Sequence, residues 1–293
     1  MLISGVRKKI SKEKTKREIK QRMVKASVIL AFYNRIDFLK LVLAGFERQT
    51  FKHFEIIIAD DGSSSQVVQE IETVSRAFRF PIIHLWQEDK GFRKNKILNK
   101  AIMSANSNCL IFVDADCVPH SEFVKEHFNY KKSGVCLTGR RVNLSENYTS
   151  NLTVEKVKNG FLENNNFSLM IDGIFGKSFD VEKGFYFKNS FLRNFFNKKK
   201  RGLLGCNFSI HKEDFLRING FDERYEAPSI GEDSDVEFRL KLCNVEIKSL
   251  NNIAVQYHLY HKLQDRPQKN LDLFSEVQKN KTYFTPFGIY KNE

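Results

Sequence analysis

The chain has 293 residues, of which 41% are hydrophobic and 28% charged, so it can bury a sizeable core and lies outside the composition of disordered proteins. Its net charge of +13 at pH 7 suggests a polyanionic partner, either nucleic acid or an anionic membrane surface. No apolar run approaches the ~18 to 20 residues that cross a bilayer, and the N-terminus lacks the apolar core of a signal peptide, so we expect a cytoplasmic protein.

Residues 1–24 form a basic stretch that we predict to be a tail. Ten basic and two acidic residues lie between Arg7 and Lys25. A second basic cluster, residues 198–201, follows the aromatic-rich sequence GFYFKNSFLRNFF. Solvated loops are one interpretation of both clusters, and a peripheral contact with an anionic membrane is the other. We expect no nucleic-acid partner because zinc-finger spacing and the RNP aromatic motif are absent.

From residue 25 to about 132, short β-branched or aromatic runs alternate with helical patterns. The predicted strands lie at 26–33, 54–60, 81–86 and 109–116, and the predicted helices at 36–49, 65–78 and 94–105. This alternation is typical of βαβ units, which predicts an α/β fold with a mostly parallel sheet and helices on both faces. Ligands of such folds bind at the carboxyl ends of the strands.

The rhythm breaks at about residues 141–201, where asparagine, phenylalanine and glycine recur without a clear period, and we treat this segment as a variable insert. Regular patterns resume from residue 202. They predict a strand before His211, a short helix after it and a helix beginning at Glu232 or Asp233. Two short strands at 245–250 and 253–258 and a C-terminal helix near 267–280 follow.

The sequence Asp114-Ala115-Asp116 comes directly after a predicted buried strand. Residues two apart on an extended chain point to the same side, so both carboxylates would face one spot. Carboxylate oxygens suit a divalent cation that also binds nucleotide phosphates. A polar strand end or a helix cap is the alternative, and the pattern alone is weak because Asp233-Ser234-Asp235 repeats it.

Two further segments of the first half carry candidate nucleotide contacts. Asp60 and the residues after it form a turn that either caps the next helix or places a carboxylate against a nucleobase N–H. Arg93, Lys94 and Lys96 lie at the start of a predicted helix, where the dipole is already positive. Cations placed there favour a pyrophosphate ligand, and a solvated basic turn is the alternative.

The last third of the chain adds a histidine pair and a candidate base. His258 and His261 are three residues apart at the end of a strand, and with carboxylates they would suit Mn²⁺ better than Ca²⁺. Asp233 lies in the first turn of a predicted helix, where the dipole favours the ionised carboxylate that a general base needs. A helix cap is the alternative for Asp233.

Taken in order, these motifs resemble those of inverting family 2 glycosyltransferases of the GT-A fold. Three segments resemble the donor-binding motifs: SVILAFYNRIDFL, IIIADDGSS and IFVDADC. The later segments GCNFSIHKEDFLRINGFDE and GEDSD are similar to the C-terminal module of β-1,4-galactosyltransferases and chondroitin-polymerase-like enzymes. The resemblance spans about residues 25–140 and 202–270.

The resemblance implies a role for each matching position. Asp233 would be the catalytic base and Glu232 an acceptor-binding acid beside it. Asp116, Asp114, His258 and His261 would bind the metal, Mn²⁺ or Mg²⁺. The UDP-sugar would contact Phe32, Arg35, Asp60, Asp61, Arg93, Lys96, Asp114, Ala115 and Asn207. Residues 25–140 would form the nucleotide-sugar-binding half and 202–293 the acceptor-binding and catalytic half, with 141–201 facing the acceptor or a membrane.

The expected activity is metal-dependent, inverting transfer of a hexose or N-acetylhexosamine (Gal, GalNAc or GlcNAc) from a UDP-sugar to a sugar hydroxyl, giving a β-glycoside. The acceptor would be a glycan or lipid-linked glycan, and the setting would be bacterial surface polysaccharide synthesis (lipopolysaccharide, O-antigen or capsule) at the inner face of the cytoplasmic membrane. A non-catalytic scaffold that keeps only the nucleotide-sugar pocket is the alternative.

Overall fold

The computed structural model describes residues 24–197, 201–227, 232–262 and 268–291. Almost all of the predicted basic tail, at residues 1–23, lies outside the described residues, as does the lysine cluster at 198–200. The side chain of Glu232 is also outside them, although its backbone is described. Among the described residues, no helix has the length and apolar character needed to span a bilayer.

A seven-stranded sheet forms the centre of the molecule, in the order β3-β2-β1-β4-β8-β6-β9. Its strands are β1 (Ala26–Phe32), β2 (Phe54–Asp60), β3 (Ile82–Trp86), β4 (Cys109–Asp114), β6 (Val135–Thr138), β8 (Asn207–His211) and β9 (Glu246–Ser249). The strands pair in parallel except that β8 runs antiparallel to β4 and β6. The predicted α/β fold with a mostly parallel sheet is therefore confirmed.

The helices account for most of the remaining regular structure. They are α1 (Ile36–Glu47), α2 (Ser65–Ser75), α3 (Lys94–Ser104), α4 (Phe123–Tyr130), α5 (Glu146–Ser150), α6 (Val154–Lys158), α7 (Phe161–Asn164), α8 (Asn166–Phe175), α9 (Ser190–Phe196), α10 (Lys212–Arg217), α11 (Glu232–Leu242) and α12 (Gln268–Asn280), with a 3₁₀ turn at Val181–Gly184. The helices predicted at 36–49 and 65–78 end two to three residues earlier than expected.

Two apolar clusters pack on opposite faces of the sheet because successive strand residues alternate between them. Val28 and Leu30 of β1 belong to the cluster that includes α1, whereas Ile29 belongs to the cluster that includes α3, α10 and α11. Burial on both faces explains why β1 and β2 read as continuous apolar runs rather than alternating ones.

A second, three-stranded sheet connects distant parts of the chain, with β5 (Cys117–Pro119) and β7 (Arg140–Asn143) on either side of β10 (Val255–His258). The β10 strand is antiparallel to β5, with His258 opposite Cys117. The Leu259 N–H also donates a hydrogen bond to the carbonyl oxygen of Asp116 (2.8 Å). This sheet brings the segment around His258 against the Asp114–Asp116 segment.

Residues 141–201 contain more regular structure than the sequence predicts. Side-chain caps rather than apolar periods start several of these short helices, with Ser145 capping α5, Thr153 capping α6 and Asn189 capping α9. Arg48, the residue after α1, and Glu163 of α7 form an ion pair through two hydrogen bonds (2.6 and 3.0 Å). This pair holds the segment to the end of α1. The predicted division into halves and an insert stays a prediction.

Candidate active site

The side chains of Asp116, His258 and His261 meet at one point beside the small sheet. The Oδ2 atom of Asp116 lies 3.4 Å from Nε2 of His258 and 3.1 Å from Nε2 of His261. The two imidazole nitrogens are 3.2 Å apart. Three of the four residues predicted to bind a metal therefore present donor atoms to a common space.

Electrostatics in this cluster favour the ionised carboxylate. Burial raises the pKa of Asp116, but His258 and His261 outweigh that effect, and the pKa lies well below its usual range. The hydrogen bond to Asp116 raises the pKa of His261 despite partial burial. The cluster thus favours positive charge beside Asp116, which is a condition that a cation site must meet.

The donor set fits a divalent transition metal. One carboxylate oxygen and two imidazole nitrogens suit Mn²⁺ or Zn²⁺ better than Ca²⁺, which takes oxygen ligands. Asp114, the fourth predicted ligand, instead pairs with Lys94 of α3, whose Nζ is 3.0 Å from Oδ1. Ala115 is buried between the two aspartates. The roles of Asp114 and Ala115 in donor binding stay predictions.

Three residues that the sequence did not single out, Cys117, Arg141 and Cys206, lie next to the cluster of Asp116, His258 and His261. The buried Cys117 thiol donates to Oδ1 of Asp116 (3.1 Å), and Arg141 donates to Sγ of buried Cys206 (3.1 Å). The neighbouring Cys117 thiol, together with the positive charge of Arg141, lowers the pKa of Cys206. Of the three, only Cys117 could have been identified from the sequence, because it is adjacent to Asp116. Arg141 and Cys206 are far from Asp116 in the sequence.

The turn after β2 places its two aspartates differently. Asp60 is fully buried, and its carboxylate accepts hydrogen bonds from the N–H and hydroxyl of Ser63 (2.9 and 2.6 Å) and contacts Nε2 of His84 (2.9 Å). Asp61 accepts from the Gln87 amide (2.6 Å) and the Arg93 backbone N–H (2.7 Å). Burial raises the pKa of Asp61. A uracil contact by either residue stays a prediction.

Gly62 lets this turn approach the loop after β3. Its φ of +101° lies in the region that favours glycine, and an added Cβ would be 2.6 Å from Cα of Asp89. The Trp86 indole N–H donates to the Ser63 carbonyl (3.0 Å), which joins β3 to the same turn. The Asp-Asp-Gly-Ser-Ser sequence is thus a tight turn, as predicted.

The predicted donor contacts at the end of β1 lie in contrasting environments. Phe32 is buried in the core beside α1, and it pairs in register with Asp60. Arg35 is exposed, stacks over the Phe38 ring at 3.8 Å and pairs with Asp37 (3.2 Å). Their roles in lining a nucleotide pocket stay predictions.

The basic start of α3 lies next to the two acidic segments. The Arg93 guanidinium donates to the Glu88 carbonyl oxygen, while its backbone is held by Asp61. Lys94 reaches Asp114, and Lys96 is half-buried on the next face of the first turn. The helix N-terminus and its cations therefore meet the carboxyl ends of β2 and β4, where α/β folds bind anionic ligands.

Asn207 has a structural role in the described conformation. It is fully buried, its Nδ2 donates to the carbonyls of Arg140 and Ala254 (3.0 Å each), and its Oδ1 lies 3.0 Å from Nε2 of His127. Burial lowers the pKa of His127 to about 4, so this imidazole is neutral at pH 7. A contact of Asn207 with the donor stays a prediction.

Asp233 lies in the first turn of α11, as predicted. Its Oδ2 accepts from the Gly205 N–H (3.4 Å) and its Oδ1 from the Ser234 N–H (2.8 Å). The side chain is partly exposed, so it can meet a substrate. Glu232 begins the same helix. The assignments of Asp233 as base and Glu232 as acceptor ligand stay predictions.

Asp235, the second acid of the repeated Asp-x-Asp pattern, is structural. It pairs with Arg239 through two hydrogen bonds (2.8 and 2.6 Å), and both side chains are buried. Arg239 also donates to the carbonyls of Ile218 and Gly220 (2.7 and 3.0 Å). The pair therefore fixes α11, and with it Asp233, against the loop after α10.

We expect the Arg239→Ala variant to lower the free energy of unfolding by about 3 to 5 kcal/mol, because it leaves the Asp235 charge buried without its partner. Urea denaturation measures the change. Lys241→Ala is the matched control, since Lys241 pairs with Glu237 on the exposed side of the same helix and should cost less than about 1 kcal/mol. Equal losses in the two variants would contradict a structural role for the buried pair.

The chain belongs to glycosyl transferase family 2, whose family model matches residues 27–213. A second model, described as the N-terminal domain of galactosyltransferase, matches residues 188–262. The chain is 24% identical over 226 residues to chondroitin synthase of Pasteurella multocida, covering 73% of this chain and 22% of that protein. It is 28% identical over 106 residues to poly(ribitol-phosphate) beta-N-acetylglucosaminyltransferase TarS of Staphylococcus aureus, covering 36% of this chain and 18% of that protein.

Solved structures show that the fold is GT-A. The crystal structure of S. aureus TarS 1-349 in complex with UDP-GlcNAc matches with a TM-score of 0.56 and 17% identity, covering 88% of this chain and 65% of that one. The crystal structure of GalNAc-T7 with UDP, GalNAc and Mn²⁺ matches with a TM-score of 0.60 and 13% identity, covering 88% and 48%. The predicted family and fold are confirmed. The chain spans about a fifth to a quarter of the length of the curated relatives that it matches.

Proposed function

We propose that this protein transfers a hexose or N-acetylhexosamine from a UDP-sugar to a sugar hydroxyl with inversion, giving a β-glycoside. The observation that carries the proposal is the convergence of Asp116, His258 and His261 on one point. The basic start of α3 and the Asp60–Asp61 turn lie at the same edge of the sheet, where a nucleotide would bind. In this proposal the cluster binds a cation, the start of α3 binds the diphosphate and the turn binds the nucleobase.

In the proposed reaction, the acceptor hydroxyl oxygen attacks the anomeric carbon as the bond to the UDP oxygen breaks. UDP leaves with the bonding electrons, and Asp233 takes the acceptor proton. Asp116, His258 and His261 would hold Mn²⁺ or Mg²⁺, of which Mn²⁺ suits the two imidazole nitrogens better. When bound, the cation would supply positive charge against the negative charge that builds on the departing diphosphate. Arg93 and Lys96 would contribute further positive charge near that group.

Two relatives support the donor and acceptor classes. TarS is named as a beta-N-acetylglucosaminyltransferase and was crystallised with UDP-GlcNAc, and chondroitin synthase is a second relative. We propose by analogy a glycan or lipid-linked glycan acceptor and a role in bacterial surface polysaccharide assembly at the inner face of the cytoplasmic membrane. A peripheral contact with that membrane is part of the same proposal.

A panel of UDP-sugars tests the proposal without knowledge of the acceptor. The purified chain is incubated with UDP-Gal, UDP-GalNAc, UDP-GlcNAc and UDP-Glc, with Mn²⁺, with Mg²⁺ or with EDTA, and UDP release is measured. We expect slow transfer to water from one donor, with activity abolished by EDTA and restored by Mn²⁺. Calorimetric binding of UDP without turnover of any donor, with or without glycan acceptors, would instead indicate a non-catalytic scaffold.

A further inference from the structure

Helix α8 turns its apolar side chains away from the protein. Phe167, Ile174 and Phe175 are 77%, 71% and 85% exposed, and Met170 and Ile171 are exposed as well. These positions follow the i, i+3, i+4, i+7, i+8 spacing, which places them on one face of the helix. Only Leu169, on the other side, is buried in the core. A surface helix normally buries its apolar face, so this one presents that face to something else.

Helix α9 presents a second set of apolar side chains from a fixed support. Phe191 is 74% exposed, and Leu192 and Phe195 are exposed too. On the inner side, the Arg193 guanidinium donates to both carboxylate oxygens of Glu126 on α4 (3.1 and 2.7 Å) and to the Tyr186 hydroxyl (3.0 Å). The exposed rings are therefore held outward by a helix that is anchored through an ion pair. We call the exposed apolar residues of α8 and α9 the outer patch.

The charge around the outer patch indicates what it contacts. The described residues of 166–201 include five basic and three acidic residues, and both Lys177 and Lys188 are exposed between the two helices. In the sequence, three further lysines follow α9 at 198–200. A second copy of this chain would bring two positively charged surfaces together, which disfavours association. An anionic lipid surface would attract the same cations while its acyl region accepts the apolar side chains.

We propose that the outer patch docks the protein on the surface of an anionic bilayer, with the apolar side chains of α8 and α9 in the interfacial region and Lys177 and Lys188 against lipid headgroups. This inference rests on the membrane contact of the proposed function and deepens it, but it does not depend on the transfer reaction, because its residues lie outside the candidate active site. It assigns a specific surface to the membrane contact.

Vesicle co-sedimentation tests the docking surface. The full chain is mixed with large unilamellar vesicles of phosphatidylcholine alone or with 30% phosphatidylglycerol. We expect the chain to partition onto the anionic vesicles. The double variants Ile174→Gln/Phe175→Gln and Phe191→Gln/Phe195→Gln should each lower the partition coefficient by about tenfold or more, since each removes apolar area that the bilayer would bury. Lys177→Gln/Lys188→Gln should weaken binding to anionic vesicles while leaving the weaker binding to neutral vesicles unchanged.

The matched control is Met103→Gln/Tyr283→Gln, which removes two exposed apolar side chains elsewhere on the surface and should leave partitioning unchanged. UDP-sugar hydrolysis without vesicles should be the same in all variants, which separates this proposal from the transfer reaction. The proposal would be overturned if both apolar variants of the outer patch partitioned onto the vesicles as strongly as the parent does. It would also be overturned by a dimer, detected by sedimentation velocity, that the same variants dissociate, because the partner would then be a second copy.

Discussion

The Asp233→Asn variant should turn over a UDP-sugar about 10²- to 10⁴-fold more slowly than the parent, the usual cost of losing a general base. The amide is similar in shape and can still accept a hydrogen bond from the Gly205 or Ser234 N–H, so the start of α11 should keep its structure. The amide cannot, however, take the proton from the acceptor hydroxyl. Steady-state rates at saturating donor measure the loss, and calorimetry should give an unchanged affinity for UDP.

Ser234→Ala is the matched control for this prediction. Ser234 follows Asp233 on the same helical turn and is exposed, so its loss perturbs the local surface without removing a carboxylate. We expect a rate close to that of the parent. Near-normal turnover by Asp233→Asn, or an equal loss in both variants, would assign proton removal to another group.

Replacing a predicted metal ligand should have the second large effect. We expect Asp116→Asn and His261→Gln each to weaken Mn²⁺ binding by at least about 10- to 100-fold, the range found even for residues that only support metal ligands. Asp116→Asn removes the charge that lies between the two imidazoles, and His261→Gln removes one nitrogen donor. Calorimetric titration with Mn²⁺ in the presence of UDP measures both.

His53→Gln controls for the loss of a histidine, since His53 lies before β2 and outside the cluster. Its Mn²⁺ affinity should equal that of the parent. If Asp116→Asn bound Mn²⁺ as tightly as the parent while His53→Gln bound it weakly, the convergence of Asp116 and the histidines would have no role in metal binding.

The sequence predicts the main sheet well because its strands carry their own signal. Buried on both faces, β1, β2 and β4 are mostly apolar, with Ser27 and Glu55 as the interior exceptions, and polar residues mark the carboxyl end of each strand. The same reasoning places Asp114 and Asp116 after a strand and Asp233 at the start of a helix. These are local features, and local patterns are sufficient to identify them.

Other features depend on contacts that no local pattern encodes. The three residues of β5 are too few for a period, so the sequence predicts one strand running to Asp116 and none after it. In the structure β4 ends at Asp114 and β5 follows at Cys117–Pro119. The expectation of no clear period in residues 141–201 is wrong for Asn166–Phe175, where Phe167, Met170, Ile171, Ile174 and Phe175 follow the spacing of an amphipathic helix. That spacing still does not reveal that the apolar face points outward. Burial of Asn207 and Asp60 is likewise a tertiary outcome.

The three-stranded sheet makes the candidate cation site a joint between two distant stretches of chain. Because His258 is opposite Cys117, a slip of one residue would turn the imidazole to the other face of the strand and separate it from Asp116. A cation bound there would hold β10 against β5. It would bind only the folded protein, because the unfolded chain does not bring Asp116 and the histidines together. By mass action it would then raise the free energy of unfolding by about 2.7 kcal/mol at 100 times its dissociation constant. Heat resistance would thus follow the supply of divalent metal.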